Sequence, residues 1–183
     1  VPDLVGILHR FGTAPVAAAV RCLVVMARFR CGSAAGEARD ELSRLVSSYY
    51  DALKECSRKV TAYKSIAARA SVVLGVACRS FSDGLIEVIG SKFVDAVFKL
   101  LTSRFLAAES DAATQARLVT AVADVVAGSP RYAATLLIGG TLAKMLGHPD
   151  DYVRAKAVRA WARVVDVAAA VDLTEEEDPC ANL

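Results

Sequence analysis

Apolar residues recur at three- and four-residue spacing along most of the chain, the period of helices that bury one face. After the break at Cys31-Gly32-Ser33, the stripe Ala38, Leu42, Leu45, Val46, Tyr49 and Leu53 predicts a long helix to about Ser57. Arg39, Asp40, Arg44, Asp51 and Lys54 form its polar face. Ile66, Ala70, Val73, Leu74 and Ala77 predict a second helix over 61–81. Phe93, Val97, Leu100, Leu101, Phe105 and Leu106 predict another over 92–107, with Gly90-Ser91 as a kink or split before it. Helices over 111–127 and 150–171 end the pattern, separated by one that Ser129-Pro130 opens and that runs to about Leu146. Gly139-Gly140 falls inside that last stretch as a close-packing or kink site. With a helix from Thr13-Ala14-Pro15 to about Arg30 and a short one near 3–10, the pattern predicts about eight helices, which pair as four hairpins.

One segment repeats. Residues 150–165 lie over 111–126 at an offset of 39, with identities at Asp150/Asp111, Ala155/Ala116, Val158/Val119, Ala160/Ala121, Ala162/Ala123, Val164/Val125 and Val165/Val126. A period near 40 in a helical chain is the signature of stacked helix pairs. One pair cannot bury its own apolar faces, so neighbours share a core.

At Met145-Leu146-Gly147-His148-Pro149-Asp150-Asp151-Tyr152-Val153-Arg154-Ala155-Lys156-Ala157 the chain resembles a HEAT repeat. Val153, Arg154 and Ala157 stand at the family's Val-Arg and small-residue positions, and Trp161 where a Leu is usual. The 111–126 copy keeps the Asp and the apolar phase but has Gln115 for Arg. Ile66, Ala70, Leu74 and Gly75 look like a weaker copy. The resemblance implies an all-α, right-handed α-solenoid of about four antiparallel helix pairs, HEAT/armadillo-like. Residues 1–171 would form that single domain, and 172–183 an acidic tail or, through the capping-box spacing Thr174-x-x-Glu177, the start of a further repeat.

Composition agrees with a helical core. Of 183 residues 55% are apolar and there are five prolines, too little punctuation for many short strands. The longest nearly uncharged runs, such as 132–143, are short of the roughly 20 residues a membrane span needs. No basic flank precedes an apolar run at the start, as a signal peptide would require. The chain opens without Met, as a processed chain or a fragment would. The five cysteines are scattered without a Cys-x-x-Cys, and Cys22, Cys31, Cys56 and Cys78 read as buried small hydrophobes in a reducing cytoplasmic or nuclear compartment, one structural disulfide being the alternative.

Charge changes the picture more. Residues 1–107 carry 15 Lys/Arg against 9 Asp/Glu, and residues 108–183 carry 7 against 11, five of the acids lying between Asp172 and Asp178. The body before that tail is basic. Lys156, Arg159 and Arg163 fall within about 60° of one another at 100° per residue, away from the apolar face of their helix. Lys156 aligns with Arg117 at the 39-residue offset and with Arg69 on the weaker copy. These five residues are the candidate partner-binding stripe. Ordinary solubilising charge is the competing account. Tyr49, Tyr50 and Tyr63 are candidate aromatic anchors, with core packing as the alternative.

Chemistry-bearing motifs are sparse. His148 sits in a turn beside Asp150 and Asp151 but has no second His or Cys at ligand spacing, so no metal or cofactor is expected. No nucleophile elbow, phosphate loop or dinucleotide fingerprint occurs. The leading expectation is a non-catalytic protein-interaction scaffold. Its partner would be another protein, acidic if the stripe is used; tubulin suits it, because HEAT-type modules resembling this one often bind tubulin. A nucleic-acid-associated subunit of a chromosome-organising complex, a helical enzyme using His9 or His148, and a compact non-repeating bundle stay open. No small-molecule substrate is expected.

Overall fold

The computed structural model describes residues 32–58, 64–80, 91–102 and 111–176, with isolated helical positions between 15 and 25. Within the described residues every element is helical: α1 (Gly32–Arg58), α2 (Lys64–Ser80), α3 (Ser91–Lys99), α4 (Ala112–Gly128), a 3-10 turn (Pro130–Tyr132), α5 (Ala133–Ile138), α6 (Thr141–Leu146) and α7 (Asp151–Glu176). The expected helix near 3–10, the 82–84 turn, residues 103–107, His9, Tyr63 and Cys180 lie outside the described residues, as do the side chains of Arg69, Cys31 and Cys56.

The stripe of α1 forms as the spacing predicts. Ala38, Leu42, Val46 and Tyr49 are buried, Leu45 is half-buried, and Asp40, Arg44 and Asp51 face out. Helix α2 departs from a one-sided pattern. Ala68, Ser71, Gly75, Val76 and Cys78 are buried beside Ala70, Val73, Leu74 and Ala77. The reason is its position: α1 packs on one side and α4 on another, and a helix flanked twice buries more than one face. Helix α4 is likewise flanked, by α2 and α7, while α3 also touches it and α5 and α6 pack on α7.

Glycines set how closely α2 and α4 approach. A Cβ on Gly75 would stand 2.9 Å from the Ala121 backbone, and one on Gly128 only 2.0 Å from the Cys78 carbonyl. Contacts advance together along both helices, Gly75 with Ala121 and Cys78 with Gly128, so α2 and α4 run in the same sense. Helices α4 and α7 also pack together, joined where Arg163 reaches Asp124.

The 39-residue echo, 150–165 over 111–126, begins on an aspartate cap in each copy. Asp111 accepts from the Thr114 amide at 2.8 Å, and Asp150 from the amides of Tyr152 and Val153 at 2.9 and 3.1 Å. These side chains satisfy amides that have no partner within the helix. Arg154 closes the turn before α7, donating to the carbonyls of His148 and Pro149 at 2.7 and 2.8 Å and pairing with Asp151.

Three sequence expectations are corrected. The helix expected from Ser129-Pro130 to Leu146 is a 3-10 turn and two short helices, broken where Gly140 takes φ +67°, a left-handed conformation that glycine adopts without strain. Cys22 is an exposed thiol rather than a buried one, whereas Cys78 is buried and unpaired. Helix α7 runs to Glu176, so Thr174 continues a helix instead of opening one. No helix among the described residues is long and apolar enough to cross a membrane.

Candidate functional site: a basic groove between α4 and α7

Lys156, Arg159 and Arg163 converge. With Thr120, Ala123 and Ala160 they line an open groove of about 140 Å³ between α4 and α7. Ala123 and Ala160 are the small residues of its lining, among the longer Lys156, Arg159 and Arg163. Lys156 is half-buried, its ammonium 5.3 Å from the centre of the exposed Tyr152 ring, a cation–π distance that steers it. Arg159 is exposed.

Arg163 has a second task. Its Nη1 donates to Asp124 Oδ1 at 2.5 Å, and Arg79 of α2 reaches the same oxygen at 3.4 Å. The Asp124 side chain is 10% exposed, against 38% for Arg163 and 55% for Arg79. A nearly buried carboxylate needs such partners. Asp124 therefore ties α2, α4 and α7 together while leaving net positive charge at the groove rim.

The five candidate residues divide accordingly. Lys156, Arg159 and Arg163 share the groove. Arg117 is exposed on α4, two turns before Asp124, on the helix side that Asp124 also occupies. Arg69 belongs to α2, with its side chain outside the described residues. The structure adds Asp124, Arg79, Thr120 and Tyr152 to this neighbourhood. One signal marked Asp124: at the 39-residue offset it aligns with Arg163, an opposite-charge pair in the echo.

Other reactive groups point to structure. His148 Nδ1 accepts from the Asp150 amide at 3.0 Å, making the ring part of the turn. Burial pushes the Cys78 thiol up to about 12, so it stays protonated. Tyr49 is buried, and Tyr50 meets Phe93 edge-on at 5.2 Å, so both act in packing. Tyr132 stacks on Phe98 at 4.4 Å while its hydroxyl and Arg131 both donate to Asp95. Burial, then the hydrogen bond to Asp95, pushes the Tyr132 phenol up to about 12, with Arg131 opposing. Among the described residues no group of three His, Cys, Asp or Glu is placed to hold a metal ion.

Comparison with known protein families, curated proteins and solved structures finds no match.

Proposed function

We propose that this chain is a non-catalytic interaction scaffold of the HEAT/armadillo kind, a right-handed solenoid of helix pairs that takes an acidic protein partner through the groove between α4 and α7. The observation that carries the reading is the convergence of Lys156, Arg159 and Arg163 on one groove between echo-related helices. The same-sense packing of α2 on α4, the packing of α4 on α7, and the aspartate cap on each echo copy support the solenoid half of the reading. Ridges between stacked helices are where such arrays receive extended partners. Cations on a rim raise association rate and select for acidic partners. Tubulin is the proposed example, on the family resemblance, in a cytoplasmic setting.

The test uses the double variant Lys156→Glu with Arg159→Glu, because Arg163 also holds Asp124 and its reversal would strain the fold. Wild-type chain should bind tubulin, and a polyglutamate peptide, at low salt. The double variant should lose both while its circular dichroism is unchanged. Retained binding contradicts the reading. Tighter binding to duplex DNA than to tubulin, with a steep salt dependence, would favour nucleic-acid association instead.

A further inference from the structure

Four identical pairs in the echo have opposite surroundings. Ala116, Val119, Ala123 and Val126 of α4 are each 1% exposed or less. Their counterparts in α7, Ala155, Val158, Ala162 and Val165, are all exposed, Val158 at 57% and Val165 at 41%. The same side chains at the same spacing form the same stripe, so the difference lies in the neighbour. On α4 one member of the stripe, Ala123, lies beside α7 in the groove it lines with Ala160.

The edge of the stripe differs between the copies. Where α4 has Thr120 and Asp124, α7 has Arg159 and Arg163. On α4 the edge carboxylate receives a cation from the helix laid beside it, Arg163. On α7 the edge is cationic and calls for the reverse charge. Arg163 can serve two carboxylates, since a guanidinium carries five N–H donors.

We propose that the Ala155–Val165 stripe docks an amphipathic α-helix of a partner protein, which lays apolar side chains on the stripe and points carboxylates at Arg159 and Arg163. The idea rests on the acidic-partner reading above and names the form in which the acid is presented. It continues the α4–α7 contact by one more helix with the edge charge inverted.

The probe is a second copy of residues 129–176, joined to the full chain through a flexible Gly/Ser linker. It is made in two forms: unchanged, and with Arg159→Glu and Arg163→Glu in the appended copy. A soluble paramagnetic agent is then used to broaden exposed valine methyl signals. In the form carrying the glutamates, the methyls of the original Val158 and Val165 should be shielded from broadening. Val158→Asp in the original copy should restore the exposure of Val165. Continued broadening in the glutamate form overturns the proposal. So does equal shielding by the unchanged copy, which would remove the charge requirement. A dimer of the unextended chain in sedimentation, dissolved by Val158→Asp, would assign the stripe to a second copy and overturn it too. Val158→Asp leaves Lys156 and Arg159 in place, so polyglutamate binding by that variant tests the groove separately from the stripe.

Discussion

Helices α4 and α7 begin on the same aspartate cap and carry the same Ala-Val-Ala-Val stripe. In α4 the stripe is sealed; in α7 it is open. Helix α4 also buries polar groups, Thr114, Gln115 and Asp124, that a surface helix would show to water. The flanks of α7 instead hold exposed charges, Arg159 and Asp166 among them. The neighbouring helices, rather than propensity, decide which apolar residues become core. A stripe read from sequence marks a face that can be covered. It does not say by what.

The widest gap between the two helices should come from placing the same charge on both. Val119→Asp buries an unpaired carboxylate and should cost several kcal/mol, enough to unfold the chain in thermal or urea melts. Val158→Asp, at the equivalent open position, should stay within about 0.5 kcal/mol of wild type. Equal losses would mean that the α7 stripe is covered.

Gly128→Ala sharpens the account of the α2–α4 approach. A methyl there meets the Cys78 carbonyl at a distance no side chain tolerates, so α2 must move. A loss of about 1–3 kcal/mol is expected in urea melts, the usual range for overpacking. An unchanged midpoint would show that the helices stand farther apart.

Asp124→Asn separates architecture from surface. It leaves Arg163 and Arg79 without their carboxylate, and about 1–3 kcal/mol should be lost. The partial exposure of both arginines keeps the loss below that of a fully buried pair. Binding of an acidic peptide to the groove should rise, because Arg163 is released. A fall in binding at retained helicity would make Asp124 part of the binding surface.

The smallest effects test what α4 and α7 share. Asp111→Ala and Asp150→Ala should each cost about 1 kcal/mol, the value of an N-cap, and by similar amounts. A much larger loss at one position would mean that its aspartate does more than cap.

Sequence periodicity made the helices legible because buried and exposed positions in α1 alternate at the helical period. The caps were legible for a similar reason: Asp111 and Asp150 precede apolar runs where amides need acceptors. The break at Gly140 was harder to read, since a glycine pair inside an apolar run fits a close contact as well as a left-handed turn. The all-round burial of α2 was hidden, because Ser71 and Gly75 read as polar or neutral until two neighbours enclose them. In the groove, Lys156, Arg159 and Arg163 were found by their common helix face. The pairing of Arg163 with Asp124 was missed because a single helix wheel does not show the helix beside it. The 39-residue alignment, used as a map of neighbours, places the two side by side.

The most direct test is the paramagnetic broadening of valine methyl signals in the unmodified chain. The account predicts that Val158 and Val165 broaden strongly while Val119 and Val126, the same residues one repeat earlier, stay sharp. Equal broadening of all four, or equal protection of all four, would contradict it.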